Sequence, residues 1–257
     1  MGTKDRRQRE FAEREQRFLD AAQALIQRDG LLSLQMSKVA EACDYAIGTL
    51  YQHFASKEDL LVALATRNCL SRAHLFERAA AWPGPTRERM VAIALADVIV
   101  LGEQPEHFRL AQFVRTEVVW GAASPQARQR SLEAVEPLGR AVDRIVEDAV
   151  RCGDLPAAVA PSPETLTIGP WSLCLGMHTL MHAEGVLPSA QFSDPYRLLF
   201  RHVHYLLNGY GWQPLFDPAD DTALDGQLAR LTRGIFDCAW PPGPAPVSTS
   251  GKEPSHG

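Results

Sequence analysis

Cys174, His178 and His182 stand at i, i+4 and i+8, so a helix would put a thiol and two imidazoles on one face, and these are metal-ligand types at metal-ligand spacing. One helix does not easily bring i and i+8 onto the same tetrahedral ion, and histidines on a Met-rich face also serve as packing. The chain offers nothing to support catalysis beside them. It has no HExxH, no GxSxG, no glycine-rich phosphate loop and no paired-carboxylate motif. A metal sensor, or a metal-dependent helical enzyme using these three residues and an acidic partner, is therefore a rival reading only. The expectation is no enzyme, no metal and no cofactor.

The elements that would position chemistry are legible elsewhere. Residues Leu34 to Leu61, LQMSKVAEACDYAIGTLYQHFASKEDLL, read as a helix-turn-helix followed by a third, capped helix. A first short helix, about Ser37 to Cys43, would brace a second, about Ile47 to His53, which in such units enters the DNA major groove. Met36, Val39 and Ala40 form one inward stripe, and Leu50 and Phe54 form another at i, i+4. Asp44-Tyr45 makes the turn. Ser56 can N-cap a helix from Lys57, with Asp59 completing a capping box and Leu60, Leu61 and Leu64 starting the apolar face.

Gly48-Thr49-Leu50-Tyr51, Phe54 and the Ser56-Lys57-Glu58-x-Leu60 run, preceded by an alanine-rich brace helix, resemble the TetR family signature over roughly the first third of the chain. The resemblance implies an all-α protein: an N-terminal three-helix DNA-binding head on a larger helical body that dimerises and holds a ligand pocket. Carried over position by position, it implies DNA contacts at Thr49, Tyr51, Gln52, His53, Lys57, Ile47 and Lys38. Thr49 and Gln52 suit bases or phosphates, Tyr51 and His53 suit phosphate oxygens, Lys57 matches the usual phosphate contact, and Ile47 can touch a thymine methyl. Tyr51 can equally pack its ring against the first helix. Three departures weaken phosphate anchoring: Asp44 replaces the usual turn glycine, Ala46 the usual small N-cap residue, and Ile47 a frequent basic residue. Ala46 forgoes a cap worth about 1 kcal/mol, and Asp44 tolerates a left-handed turn but repels phosphate.

Composition sets outer bounds. The 257 residues allow one or two domains, and 46% hydrophobic content is enough for a sizeable core. Five widely spaced cysteines without a CxxC pair suit free thiols in a reducing cytosol. The charged start MGTKDRRQRE leads into no apolar stretch, and no segment is long and apolar enough to cross a bilayer, so a cytoplasmic location and no membrane partner are expected. Net charge is -5, but residues 1–81 hold 12 Lys+Arg and 11 Asp+Glu, leaving 14 and 20 of the totals of 26 and 31 for the remainder. The head is the less acidic part. Lys4, Arg6, Arg7 and Arg9 suggest a flexible basic arm over residues 1–9, able to reach the DNA backbone, or simply a solvated tail.

The remaining pattern is helical throughout. Expected segments are Glu10 to Arg28, ended by Asp29-Gly30; a single linking helix from Lys57 to Ala81, broken by Trp82-Pro83-Gly84-Pro85; Arg87 to Gly102; Pro105 to Trp120; Gln126 to Arg151 with Pro137 inside; Glu164 to Glu184; and one capped by Asp194-Pro195 through Asn208. The organisation expected is an arm (1–9), a helix-turn-helix domain (10–56), the linking helix (57–81), a ligand-binding and dimerisation body (82–212), a possible extra helix (213–238) and a disordered tail (239–257).

The resemblance also implies a homodimer through the segments Glu164 to Glu184 and Asp194 to Asn208, whose Leu173, Leu175, Gly176, Leu180, Leu198, Leu199, Val203 and Leu206 equally suit an intrachain core. Ligand-pocket candidates are Phe108, Phe113, Trp120, Trp171, Met177, His178 and Met181, with Phe200, His107, Arg115 and Glu117 as further possibilities, although aromatics at helical spacing also fill plain cores. The implied function is a one-component regulator, a repressor binding a palindromic double-stranded operator as a dimer and released by a small, partly apolar effector. A TetR-shaped protein-binding adaptor without operator binding is the alternative that the altered turn motivates.

Overall fold

A computed structural model of the chain describes residues 3–159, 162–183, 186 and 194–240. Eleven α-helices and no strand occur among the described residues: α1 (Thr3–Asp29), α2 (Met36–Ala42), α3 (Ile47–Tyr51), α4 (Lys57–Leu70), α5 (Ala73–Ala80), α6 (Thr86–Glu103), α7 (Pro105–Val114), α8 (Pro125–Cys152), α9 (Pro163–His182), α10 (Pro195–Gly209) and α11 (Asp221–Leu231). The chain divides into two compact units, residues 1–74 with 106–139, and residues 75–105 with 140–257.

The first unit is built on α1. Phe18, Leu19, Ala22, Leu25 and Ile26 repeat at helical spacing and are buried, meeting Met36, Val39 and Ala40 of α2, Leu50 of α3 and Leu60, Leu61 and Leu64 of α4. Gly30, at φ 87°, ends α1, and its N–H bonds the Ile26 carbonyl at 2.9 Å. The helix begins earlier than the pattern suggested. Residues 3–9 are its first turns and not a loose arm, because no glycine or proline interrupts them and Arg6 pairs with Glu10 at 2.7 Å, one turn on.

The expected single helix from Lys57 to Ala81 is two. At the break the Ser71 hydroxyl donates to the Asn68 carbonyl at 2.9 Å, and the Arg72 N–H turns back to Cys69 at 3.3 Å. A serine hydroxyl competing for backbone carbonyls is the local cause. The expected helix from Pro105 to Trp120 likewise stops at Val114, and Glu117–Gly121 forms a separate wide turn. Leu110 and Val114 of α7 and Val119 of that turn join the first unit's core, so a segment assigned to the body by sequence packs with the head.

The second unit buries α6 most deeply, with Val91, Leu95, Ala96 and Val98 fully enclosed. Leu199, Phe200, Val203 and Leu207 of α10 and Leu224, Leu228 and Leu231 of α11 close the same core. The extra helix is therefore integral to this unit. Residues 241–257, most of the expected tail, lie outside the described residues.

α9 contains Gly169-Pro170 in mid-helix. Pro170 lacks the N–H that would have bonded the Leu166 carbonyl, and the Tyr210 hydroxyl reaches that carbonyl at 3.5 Å instead. A Cβ on Gly169 would collide with the same hydroxyl. The pair thus lets the end of α10 approach α9 closely. At the start of α6, Trp212 is fully buried and its indole N–H donates to Thr86 Oγ1 at 2.9 Å, while the Thr86 hydroxyl donates to Asp154 at 2.6 Å. No helix among the described residues is long and apolar enough to cross a membrane.

Candidate nucleic-acid interface

The turn between α2 and α3 closes through the backbone. Asp44 sits at φ 57°, its N–H bonding Glu41 at 3.0 Å, and the Tyr45 N–H bonds Ala40 at 3.0 Å. Aspartate is among the few non-glycine residues that occupy this left-handed region. Tyr45 then places its ring edge-on to Phe18 at 5.4 Å, and the Cys43 thiol reaches the Arg17 carbonyl at 3.4 Å, so both sides of the turn are held by α1. Ala46 occupies the α3 N-cap without a side-chain cap.

α3 buries Leu50 and exposes most of the rest. Tyr51 is 49% exposed and Ile47 44%, while Gln52 is exposed and Thr49 half-buried. Lys38 on α2 is exposed too, and Lys57 at the start of α4 is half-buried. The phenol of Tyr51 is presented at the surface and not packed away. Gly48 is exposed, and a Cβ there would meet nothing within 4 Å. That surface therefore admits a close approach by an outside chain that a side chain would obstruct.

His53 is different. Its side chain is 1% exposed, stacked on Phe11 at 3.8 Å with the rings 20° apart, and edge-on to Phe18 at 5.3 Å. Its Nδ1 lies 3.8 Å from Glu15. Burial lowers its pKa below the usual histidine value, against the opposing pull of Glu15. The ring expected to meet a phosphate is instead part of the joint between α1 and the end of α3, and the reason is tertiary: Phe11 and Phe18, two turns apart on α1, flank it.

α4 carries half of the expected capping box. Ser56 Oγ accepts the Asp59 N–H at 3.1 Å, but the Asp59 carboxylate does not return to Ser56. It accepts the Ser124 N–H at 2.7 Å and the Ser124 hydroxyl at 2.8 Å. Further along, Thr66 and Ser131 share a hydroxyl hydrogen bond at 2.7 Å. These two links fasten α4 to the beginning of α8 within the first unit. Sequence reasoning missed them, because nothing in local spacing relates residues 65 apart.

Lys4, Arg7, Gln8 and Phe11 line an open depression on the first turns of α1. Lys38 on α2 and Lys57 on α4 add positive charge, and Asp44 is exposed at the turn.

The pocket candidates are divided between the two units. Phe108 is buried in the first unit, where Phe113 and Trp120 are half-buried against the core. Trp171, Met177, His178 and Met181 lie on α9 in the second unit, with Trp171 47% exposed, Met177 and Met181 half-buried and His178 buried. A 340 Å³ cavity in the second unit is lined by none of these residues. Cys174 is also buried, and that burial pushes its thiol pKa up strongly, with Asp97 adding to the effect. Among the described residues no group of three His, Cys, Asp or Glu side chains is disposed to hold a metal ion. All five cysteines are free thiols.

Comparison with known proteins agrees with this geometry. The family model described as bacterial regulatory proteins, tetR family, matches residues 18–64. The HTH-type transcriptional repressor KstR of Rhodococcus jostii is 49% identical over 55 residues, 21% of this chain and 26% of the relative. Its counterpart in Mycobacterium tuberculosis is 46% identical over 55 residues, covering 21% of this chain and 25% of the relative. The likeness thus spans about a quarter of those curated relatives. By fold, the chain is similar to the transcriptional regulator FadR of Bacillus subtilis, solved in complex with stearoyl-CoA, at a TM-score of 0.58 and 18% identity, over 76% of this chain and 98% of that one. The matched segment coincides with the helix-turn-helix and its α1 brace, and the likeness of fold extends through the body. Residues 18–64 thus match the helix-turn-helix segment that the tetR family model describes, and the chain as a whole is similar in fold to an all-helical regulator.

Proposed function

We propose that the protein is a transcriptional repressor that binds a palindromic operator as a homodimer and releases it when a small molecule binds the second unit. The observation that carries this reading is the surface of α2 and α3, where Lys38, Ile47, Tyr51 and Gln52 are exposed beside the open Gly48, on a scaffold that buries Leu50 and Phe54. Ile47 and Gln52 have the chemistry to read base edges, and Thr49, Tyr51, Lys38 and Lys57 to hold phosphates. Lys4 and Arg7 add backbone charge from α1. His53 takes a packing role.

Two heads must be held about 34 to 36 Å apart, or a multiple of it, to occupy half-sites of a palindrome, which requires a dimer. The second unit offers a face for it: Ile168, Trp171 and Leu180 of α9 and Tyr205 of α10 are all 41–51% exposed. Leu199 and Val203, also considered for that face, are fully buried in the unit's own core. Release by ligand needs an element common to both units. The continuous helix from Lys57 to Ala81 does not exist, but α8 runs from the first unit into the second at Gly139-Arg140 without a break. A ligand that prefers one setting of α8 would then shift operator affinity by the same coupling energy.

The test is selection of bound genomic fragments by purified protein at moderate salt, beside a Tyr51→Ala, Lys57→Ala double variant. The expected result is a palindromic consensus that disappears in the variant. Absence of any enriched sequence in the parent protein would refute operator binding and favour the adaptor.

A further inference from the structure

Arg87 is the only buried arginine or lysine among the described residues, at 1% exposure, and its neighbours are neutral. Nη1 donates to the Trp212 carbonyl at 2.6 Å, and Nη2 reaches Asn208 Oδ1 at 2.8 Å, the His204 carbonyl at 3.1 Å and His204 Nδ1 at 3.2 Å. The Nε–H has no acceptor among the described residues. Guanidinium is purely a donor group, so His204 Nδ1 must be the acceptor, and the proton sits on Nε2, 2.8 Å from Gln227 Oε1. Dipoles solvate the cation, and no carboxylate among the described residues neutralises it. Burial pulls its pKa down to about 10, as expected of a desolvated cation without a counter-ion, yet it remains charged at neutral pH.

Buried charges in folded proteins are ordinarily paired. The one carboxylate nearby in sequence, Glu88, is already engaged, because Arg230 holds it in a two-point pair at 2.6 and 3.0 Å. Arg87, Glu88, Gln227 and Arg230 all line the 340 Å³ cavity, whose remaining walls include Leu215 and Phe216. That volume is in the range of small-molecule sites. Its lining holds two guanidinium groups and one carboxylate, a surplus of one positive charge, with the uncompensated cation at the buried end and the half-exposed Arg230 outside. Charge and surface together describe a monoanion with an apolar body.

We propose that this cavity, formed by the start of α6, the 214–216 loop and α11, binds a small organic carboxylate whose charged group pairs with Arg87 and whose apolar body lies against Leu215 and Phe216. The site lies wholly within the second unit and does not depend on the operator reading. A charge-assisted hydrogen bond of this kind is roughly twice as strong as a neutral one.

The test is calorimetric titration of the full chain with benzoate, benzamide and inorganic phosphate at neutral pH, without DNA. Benzoate is expected to bind one per chain in the millimolar range or tighter, benzamide at least about tenfold more weakly, and phosphate not to displace benzoate. Ala223→Leu adds bulk to the α11 wall of the cavity while keeping every side chain that bonds Arg87, and should abolish benzoate binding while leaving the helical circular-dichroism spectrum intact. Arg87→Gln should erase the preference for benzoate over benzamide; should that variant fail to fold, Ala223→Leu decides. Equal affinity for benzoate and benzamide, benzoate binding unchanged by Ala223→Leu, phosphate binding in place of benzoate, or no benzoate binding would each overturn the proposal.

Discussion

Asp59, in the first turn of α4, accepts both the backbone N–H and the hydroxyl of Ser124, the residue that precedes α8. The Ser124 hydroxyl also accepts the Ala127 N–H at 3.2 Å, so one carboxylate orders the N-terminus of a second helix. Asp59 is 6% exposed, and its removal leaves a backbone donor without its acceptor. Asp59→Ala should lower unfolding free energy by about 2 kcal/mol and Ser124→Ala by about 1 kcal/mol. In urea denaturation the double variant should cost clearly less than the sum of the two; strict additivity would mean the residues act independently.

Gly48 separates folding from recognition. Its replacement by alanine meets no atom within 4 Å and removes a helix-interior glycine, so Gly48→Ala should raise stability by about 0.5 to 1 kcal/mol. The same methyl group stands where the proposed duplex approaches. Operator affinity is expected to fall at least about tenfold, roughly 1.4 kcal/mol, in a fluorescence-anisotropy titration. An equally tight complex would show that DNA does not approach this surface.

Asp44 suits the turn, and its charge would repel the phosphates of the proposed operator. Asparagine keeps the left-handed preference and loses the charge, so Asp44→Asn should leave the melting temperature nearly unchanged. Operator binding should tighten roughly threefold to tenfold at low salt, and the gain should shrink as salt screens the repulsion.

His53 and Tyr51 should give opposite results. His53→Gln removes the ring stacked on Phe11 and edge-on to Phe18, and a loss of about 1 to 2 kcal/mol of stability is expected with operator affinity per folded molecule within about twofold of the parent. Tyr51→Phe removes only a surface hydroxyl, so its stability should hold while affinity falls. Parallel denaturation and binding curves would check both.

His204 predicts acid sensitivity. Burial first, and the Arg87 guanidinium beside it second, bring its pKa to about 4 from an ordinary 6.5, while the bond to Gln227 pulls the other way. Between those values the unfolded chain binds a proton that the folded chain refuses, so stability falls as pH drops from 6.5 toward 4, by on the order of 3 kcal/mol. His204→Gln should be less stable at neutral pH and should flatten that decline. Urea midpoints measured across this pH range would show it, and an unchanged slope in the variant would assign the decline to other groups.

The short-range content of the chain determined a good deal. Ser56 caps α4, Asp44 makes the left-handed turn, Gly30 ends α1, Asp194 caps α10 by accepting the Arg197 N–H, and the apolar stripes of α2, α3 and α4 face inward. Each depends on residues within about one helical turn of one another, where sequence spacing and spatial distance are nearly the same thing. Tertiary structure decided the rest. Phe11 and Phe18 claimed His53 across the fold, and Asp59 turned from its own helix start to Ser124. It also enclosed Arg87 among acceptors more than a hundred residues away and brought α11 into the second core. A polar side chain on a helix face has partners on its own helix and on every helix packed against it, and only the packing selects among them.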